Sequence, residues 1–430
     1  DWSSDVCSSD LRHIDLKVPD ADRACPQCGK QRGCIGHETS EQLDFVPSSL
    51  VVNVYSREKL ACDNLDCNGN VVIAAKAGKV IDGGLAGAGM LAHVLVSKYE
   101  DHLPLYRQAE ICQRSGIDIS DTTLCSWVAQ MCAERLLGRL ARCIWQQALN
   151  CSLIGADDTR LPTLDAEHEK GIKKAHLWQY LGYDELGRPQ WPAFRYTEDW
   201  SKVGPQTFLT GFNGTLQGDG YAGWASAAKA LGMAMVIAGC WAHARRKFVE
   251  AQQAGEKAAA EPLAAIQKMY AIEARARELG LSPEQRRQVR QRDTKPLVDK
   301  LEKWCAAKGP ILRPSSKLYA AHTYLTNQWT SLLVFLDDGR LPIDNNLVEN
   351  RMRPIGVGRR NYLFAGSDAG GERAAVAYTV LAACDVHGRE PWAYVRDVLG
   401  ELARRDEDAP VEDLLPDRWG PKRKVAEKVA

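Results

Sequence analysis

Short apolar runs and helical patterns alternate through the middle of the chain, and this alternation limits the possible folds most strongly. Apolar runs of strand length lie at 151–156, 175–183, 190–196, 215–218 and 233–238, and a helical pattern lies at 225–231. Three strands followed by alternating strand and helix predict an α/β fold. We therefore expect one mixed five-stranded sheet with flanking helices.

Helical patterns flank the predicted sheet on both sides. Before it, a helix over 90–99 is followed by a second that begins at Pro104 and by a third, long helix that begins after Ser120 and reaches Leu136. Proline suits the first position of a helix, and serine suits an N-cap. With the break at 115–116, the last two predict a helix-turn-helix. After the sheet, 242 to about 335 and 373–402 are predicted to be helical throughout.

These patterns divide the chain into segments. The segments are 12–80, a Cys-bearing domain with a strand at 50–55; 81–149, the helix-turn-helix region; 150–249, the first part of the core; 250–340, a large helical insertion; 341–404, the rest of the core; and 405–430, a tail. Residues 1–11, DWSSDVCSSDL, are set apart, because they back-translate to a sequence that resembles a sequencing-library adapter read in frame. We exclude them from the fold and expect the natural N-terminus to be missing.

The composition argues against a membrane protein and gives no global sign of nucleic-acid binding. The chain of 430 residues carries 55 Lys and Arg and 55 Asp and Glu, so its formal net charge is zero. Any contact with DNA must then come from local basic clusters. No apolar run reaches the ~18 residues of a membrane span, and no signal peptide is visible. We therefore expect a cytoplasmic protein whose 14 cysteines form no structural disulfides.

Two of the predicted strands end in an acidic residue. One strand ends at Asp157, and another at Asp219, which has a glycine on each side. Successive side chains of a strand point to opposite faces, so Asp157 and Asp158 cannot both face one site. Taken singly, each acid has a second interpretation: Asp157 as a loop carboxylate and Asp219 as part of a turn. Two such strand ends on one sheet favour a shared site.

A third acid, Glu349, lies in a segment with a helical pattern, 344–354. Asn345, Asn346 and Arg353 are spaced so that they share one helix face with Glu349. A polar stripe on a solvated helix would have the same spacing. Asparagine, however, is a poor residue for the interior of a helix, which favours a functional use of this segment.

Together, the three carboxylates predict a metal centre. Asp157, Asp219 and Glu349 would suit two hard cations, Mg²⁺ or Mn²⁺, because such ions prefer oxygen ligands. A pair of these ions activates a water or a 3′-hydroxyl for attack at phosphorus. The sequence contains no Gly-rich P-loop, so chemistry driven by nucleotide hydrolysis is not expected.

The N-terminal cysteines form the most specific metal signal. Two spaced pairs of cysteines predict a structural zinc site of the zinc-ribbon type. The four predicted Zn²⁺ ligands are Cys25, Cys28, Cys62 and Cys67. Cys34 and His37 also have the spacing of ligands, and either could replace one of the four.

Local basic clusters supply candidate phosphate contacts. The candidate DNA-binding residues are Arg245, Arg246, Lys247, Arg286, Arg287, Arg290, Arg353, Arg359 and Arg360. The first cluster follows Cys240 and His243, which have the spacing of a zinc pair. Because no second pair is nearby, we favour a strand-to-helix corner held by side-chain hydrogen bonds. Cys240, His243 and Asn346 would then support the acids rather than react.

Three longer motifs resemble one known family. They are GDGY at 218–221, CWAHARRKF at 240–248, and the stretch 344–371, which contains GRRNYLFAGS at 358–367. Through these motifs, and over 25 to 415 at large, the chain resembles the large transposase of the insertion-sequence 66 family, a DDE enzyme with a ribonuclease H-like core. The resemblance assigns the first catalytic acid to Asp157, in the ADDT motif at 156–159, the second to Asp219 and the third to Glu349.

The resemblance implies metal-dependent cleavage and transfer of DNA strands at the ends of an insertion sequence. The zinc ribbon and the helix-turn-helix would bind the terminal inverted repeats. The protein would act near the nucleoid as a homo-oligomer on terminal and target DNA, with or without accessory proteins of the same element. Two other functions stay open: a non-catalytic DNA-binding remnant of a mobile element, and another ribonuclease H-like nuclease.

The chain departs from the family pattern in three places. Asp158 stands where the family usually has Glu, and four residues rather than two separate Cys62 from Cys67. The leucine-zipper-like helix with which the family begins is absent, and residues 1–11 stand in its place. The first departure concerns a side chain predicted to face away from the site, whereas the second concerns the geometry of the zinc site.

Overall fold

The computed structural model describes residues 27–31, 50–60, 71–75, 78–230, 232 and 235–420. The chain divides into two compact units, Asp1–Ser56 with Lys424–Ala430, and Arg57–Arg423. In the first unit, the described stretches 27–31 and 50–56 are exposed. The strand predicted at 50–55 is wrong, because its apolar side chains are exposed and pair with no other strand of the described chain.

The predicted zinc ligands fall largely outside the described residues. Cys28 is described, and it is exposed. Outside the described residues are Cys25, Cys62, Cys67, Cys34 and His37. In the second unit, β1 (Lys59–Leu60) and β2 (Val72–Ile73) pair antiparallel, which brings together the chain on either side of 61–70.

A mixed five-stranded sheet lies in the second unit, as the sequence predicts. Its strands are β3 (Leu153–Leu164), β4 (Ile172–Tyr183), β5 (Pro189–Thr197), β6 (Thr215–Gln217) and β7 (Val236–Ala238). The order across the sheet is β5-β4-β3-β6-β7. The first three strands in sequence pair antiparallel, whereas β6 runs parallel to β3, and β7 parallel to β6.

Strand β3 runs on through Asp157 to Leu164, beyond the end predicted at residue 156. Its antiparallel pairing with β4 is unbroken along its whole length, but its parallel pairing with β6 ends at Gly155. Beyond that point, a bridge between Thr163 and Ala365 is the pairing described on this edge. Asp157 therefore lies within a strand, at the place where one edge of that strand loses its partner.

Fifteen α-helices surround the sheet in the described chain. They are α1 (Ala88–Tyr99), α2 (Leu105–Arg114), α3 (Asp121–Met131), α4 (Arg139–Leu149), α5 (Val203–Phe208), α6 (Ala222–Ala230), α7 (Trp241–Gln253), α8 (Ala260–Glu278), α9 (Pro283–Val289), α10 (Lys295–Lys308), α11 (Lys317–Asn327), α12 (Trp329–Leu333), α13 (Asn346–Tyr362), α14 (Asp368–Val386) and α15 (Pro391–Leu402). None of these helices has both the length and the apolar character needed to cross a membrane.

The two faces of the sheet pack against different helices. On one face, Leu161 of β3 packs in a core with residues of α13 and α14. On the other face, Ile154 packs in a core with residues of α5 and α6. Because side chains alternate along a strand, Asp157 shares the first face with Leu161, and Asp158 shares the second with Ile154. The structure thus agrees with the predicted separation of the two acids.

The helix-turn-helix has the predicted elements with a shorter third helix. Helices α2 and α3 are joined by a turn in which Gly116 has a φ of 83°, and the side chain of Ser120 accepts a hydrogen bond from the backbone of Thr123. Helix α3 ends at Met131 instead of reaching Leu136, because the backbone at Ala133 is extended (φ −62°, ψ 158°). The helix predicted over 373–402 is likewise two helices, α14 and α15.

The helical insertion buries one of the arginines predicted to bind DNA. Arg290 is fully buried, and its guanidinium donates to both oxygens of Glu273 at 2.7 Å. It also donates to the carbonyls of Phe335 and Asp338, at 2.6 and 2.8 Å. The prediction of Arg290 as a DNA contact is therefore wrong: its charge is neutralised inside the insertion and holds the chain at 335–338.

This arrangement predicts a large loss of stability in Arg290→Ala. The substitution leaves the carboxylate of Glu273 buried without its partner, which destabilises a protein by about 3–5 kcal/mol. Chemical denaturation monitored by circular dichroism measures the change. Arg287→Ala is the matched control, because Arg287 pairs with Glu284 in solvent and should leave the midpoint almost unchanged. Equal midpoints for the two variants would contradict the structural role of Arg290.

Candidate active site

Asp157 lies at the point where the edge of β3 becomes free. One of its oxygens accepts the backbone N–H of Asp158 at 2.9 Å, and no other described residue donates to the carboxylate. Burial, with a smaller contribution from the negative charges of Asp219 and Glu349, raises the pKa of Asp157 to about 7. The three predicted acids therefore lie close enough to interact, and their mutual repulsion favours a cation between them.

Asp219 is held by the turn that follows β6. Its Oδ1 accepts the backbone N–H of Tyr221 at 3.0 Å and the indole N–H of Trp224 at 3.2 Å. The preceding Gly218 has no room for a side chain, since a Cβ there would lie 2.7 Å from the indole nitrogen of Trp224. The flanking glycines thus let this turn close on Trp224 and Tyr324. Oδ2 accepts no hydrogen bond from a described residue.

Glu349 lies in the first turn of α13, and Asn345 attaches this turn to the sheet. Asn345 is fully buried: its side-chain N–H donates to the carbonyl of Ala156 at 2.8 Å, and its backbone N–H donates to the sulfur of Cys240 at 3.3 Å. A Cβ at Gly155 would lie 2.7 Å from Val348, so glycine permits this close approach. Glu349 is thereby fixed beside Asp157.

The supporting asparagine is Asn345 rather than the predicted Asn346. Asn346 is exposed and bonds to Asp344 at the helix start, through its backbone and its side chain. Asn345 precedes the helix and points into the protein, so it does not share a surface stripe with Glu349. Helical spacing relates both asparagines to Glu349 and therefore does not distinguish the buried one from the exposed one.

Cys240 and His243 lie beside Glu349. Nδ1 of His243 lies 3.7 Å from one oxygen of Glu349, and Arg246 lies 3.7 Å from the other. A ligand atom from each of Cys240, His243 and Glu349 lies within 4.8 Å of the others. Burial raises the pKa of the Cys240 thiol to about 12. Its observed contact is the hydrogen bond from Asn345.

The remaining basic candidates fall into two groups. On helices α7 and α13, Arg245, Arg246, Arg353 and Arg360 are exposed, Lys247 is half-buried beside Glu250, and Arg359 donates to the carbonyl of Arg160. In the insertion, Arg286 donates to the carbonyl of Gly339, and Arg287 pairs with Glu284. No contact among the described residues links this second group to the three acids.

A cleft beside the acids combines Asp158 and the predicted Arg359 with three residues that the sequence did not indicate. It has a volume of about 620 Å³ and is lined in part by Asp158, Arg160, His176, Trp200 and Arg359. Asp158 accepts hydrogen bonds from Trp200 at 3.0 Å and His176 at 2.5 Å. These residues come from separate strands, a loop and a helix, and single aromatic or basic residues in such positions form no motif that the sequence alone reveals.

The raised pKa of Asp157 predicts that the metal-free site lowers the free energy of unfolding, and that this effect depends on pH. The folded protein keeps the Asp157 proton up to about pH 7, whereas the ordinary value is 3.8, so the folded state binds more protons and stability falls as pH rises between these values. Asp157→Asn removes this cost. Without divalent cations, its free energy of unfolding should exceed that of the wild type by a margin that grows from pH 4 to pH 7 and reaches at most about 4 kcal/mol.

Thermal unfolding at several pH values measures this margin. Mg²⁺ should then raise the Tm of the wild type at pH 8 more than that of Asp157→Asn. A margin that shrinks as pH rises would show that the pKa of Asp157 is not raised in the folded protein.

Two family models match the chain. The model of the zinc-finger binding domain of transposase IS66 matches residues 22–64. This range includes Cys25, Cys28 and Cys62 together with Cys34 and His37, and it ends before Cys67. The match supports a structural zinc ion in the N-terminal domain and leaves the choice of the fourth ligand open.

The model of the transposase IS66 family matches residues 83–373, which contain the sheet and all three acids. The chain is also similar to two uncharacterized proteins of Sinorhizobium fredii (strain NBRC 101917 / NGR234). It is 34% identical to y4jD over 420 residues, which cover 95% of this chain and 80% of that protein. It is 34% identical to y4qI over 403 residues, 91% and 73% of the respective chains. The chain belongs to the IS66 family of transposases.

Proposed function

We propose that this protein cleaves and transfers DNA strands at the ends of an insertion sequence, with Asp157, Asp219 and Glu349 as the catalytic acids. The observation that supports the proposal is that strand β3, the turn after β6 and helix α13 carry three carboxylates whose charges act on one another: burial and the charges of Asp219 and Glu349 raise the pKa of Asp157 to about 7. The mixed sheet, with two strands added in parallel to β3, supports the ribonuclease H-like core that the family resemblance implies.

The donor set fits two divalent cations of the Mg²⁺ or Mn²⁺ type. Asp157 and Asp219 each offer an oxygen that accepts no hydrogen bond from a described residue, and Oε1 of Glu349 is buried without a hydrogen-bond partner there. Hard cations prefer such carboxylate oxygens. When bound, the ions would supply Lewis-acid activation of the attacking and leaving oxygens at phosphorus.

The surrounding residues would orient the acids and the DNA. Trp224 and Tyr221 fix Asp219, and Asn345 fixes the helix turn that carries Glu349. Arg246, beside Glu349 and more than half exposed, is placed to contact a phosphate of the DNA backbone. Water would attack the phosphodiester at the element end, and the freed 3′-hydroxyl would attack target DNA.

Loss of one acid should abolish strand cleavage. The substrate is DNA carrying the inverted repeats that flank the gene, with Mg²⁺ or Mn²⁺, and nicking is followed on gels. Asp157→Asn, Asp219→Asn and Glu349→Gln should each lower the rate by at least about 100-fold, because a group that stabilises the transition state is lost. Asp293→Asn, an exposed acid of the insertion that pairs with Arg292, should cleave normally.

The same assay distinguishes the alternatives. Wild-type nicking by Asp157→Asn would sink the assignment of the site. Repeat binding by the wild type without any metal-dependent nicking would favour a non-catalytic remnant. Cleavage that ignores the terminal sequence would favour another ribonuclease H-like nuclease. The oligomeric state on DNA and any need for accessory proteins stay predictions. Adding the other proteins of the element to the same assay, and comparing the cleavage products, tests the need for them.

The N-terminal domain would recognise the terminal repeats with the help of a zinc ion. We expect Cys25, Cys28, Cys62 and Cys67 to hold Zn²⁺ as thiolates. Metal analysis of purified variants tests this set: Cys28→Ser and Cys67→Ser should lose the bound zinc and the affinity for repeat DNA, whereas Cys34→Ser should keep both. If Cys67→Ser retained zinc and Cys34→Ser lost it, the fourth ligand would be Cys34 instead of Cys67.

A further inference from the structure

We propose that the cleft beside the acids binds an unpaired nucleotide of the DNA substrate, with its base on Trp200 and its phosphates near Arg160, Lys174 and Arg359. The cleft has a volume of about 620 Å³ and is lined by all four residues. The inference rests on the proposed function for the identity of the ligand, and it adds a binding subsite that the three acids do not provide.

The cleft adjoins the acids through three separate elements. Asp158 follows Asp157 on β3. Arg359 lies on α13, the helix that begins beside Glu349. Tyr221, whose backbone holds Asp219, packs its ring against Trp200 with centroids 4.8 Å apart. A nucleotide in the cleft would therefore belong to the same stretch of DNA whose phosphodiester reaches the acids.

Trp200 forms a fixed and open aromatic surface. Its ring packs on Tyr221 and on His176, with centroids 4.8 and 5.9 Å apart, and its indole N–H donates to Asp158 at 3.0 Å. Even so, 54% of Trp200 stays exposed. Because the ring is already oriented, a base that stacks on it loses little conformational freedom.

The charges of the cleft suit an anion. Arg160 and Lys174 are exposed, and in the described chain neither has an acidic partner within 4.0 Å, nor does Arg359. Two acids also line the cleft. Asp158 is occupied by His176 and Trp200, and Asp199 accepts the backbone N–H of Ser201. Three basic side chains without an acidic partner in the described chain, beside an aromatic ring, match the phosphates and base of a nucleotide.

The size and shape of the cleft favour an unpaired nucleotide over duplex DNA. Its volume lies within the ~300–1,000 Å³ that small-ligand sites have, which suits one or two nucleotides. In a duplex, the faces of the bases are covered by their neighbours, and only their edges are accessible. A base must leave the stack before its face can lie on an indole ring. The cleft therefore predicts local opening of the DNA at the element end.

Binding of a short oligothymidine, measured by fluorescence anisotropy without added Mg²⁺, tests the cleft independently of catalysis. Trp200→Ala should weaken binding about tenfold, since stacking on an aromatic ring contributes that order of affinity per base. Trp200→Phe should retain most of it. Trp392→Ala is the matched control, because Trp392 is also an exposed indole and does not line the cleft; it should bind as the wild type does.

The basic residues have their own readout. Arg160→Ala and Lys174→Ala remove exposed side chains, so the fold should persist, and each should lower the salt dependence of oligothymidine binding by about one phosphate contact. Wild-type affinity in Trp200→Ala together with unchanged salt dependence in Arg160→Ala would overturn the proposal. Oligothymidine binding is measured without Mg²⁺ and involves no cleavage, so a failure of the catalytic assignment stays distinguishable from a failure of the cleft.

A second measurement locates the unpaired base. With 2-aminopurine placed at successive positions of terminal-repeat DNA, the wild type should change the fluorescence at one position near the cleavage site. Trp200→Ala should abolish the change while Trp392→Ala keeps it. An equal response in both variants would show that the base lies elsewhere.

Discussion

The attachment of helix α13 to strand β3 by Asn345 is the interaction on which the arrangement of the acids depends. The buried amide of Asn345 donates to the carbonyl of Ala156, the residue before Asp157, and its backbone N–H donates to Cys240. One residue thus links β3, the end of the β7 segment and the helix that carries Glu349. A buried amide without these partners would be unfavourable, so the bonds and the position of Glu349 are retained together.

The helical insertion supports this attachment from the other side. The chain enters α13 through 335–345, and Arg290 holds the carbonyls of Phe335 and Asp338 while Gln217 of β6 donates to the carbonyl of Pro342 at 2.7 Å. The buried ion pair between Arg290 and Glu273 therefore fixes the approach to Glu349 without touching the acids. This explains how an insertion between the second and third acids can be large and still leave their geometry defined.

The sequence revealed the sheet and the three acids more fully than their surroundings. Apolar runs marked all five strands, because buried strands have few polar residues, and alternation separated Asp157 from Asp158. The sequence was less informative where contacts between distant residues determine the structure. Strand β3 continues past residue 156 because β4 pairs with it. Arg290 is buried because it pairs with Glu273 on another helix. For the same reason, the sequence did not reveal the contacts of Asn345 and Trp200, since their partners lie far away in sequence.

Each face of β3 carries one acid beyond the point where the pairing with β6 ends. Burial and the charges of Asp219 and Glu349 raise the pKa of Asp157, whereas its neighbour Asp158 accepts hydrogen bonds from His176 and Trp200. Both acids lie beyond Gly155, where the pairing of β3 with β6 ends and no other described strand continues along that edge beside them. In the proposed function, metal ions on the Asp157 face and the cleft on the Asp158 face would hold successive parts of one DNA strand. Because β6 is short, neither site is covered by a neighbouring described strand.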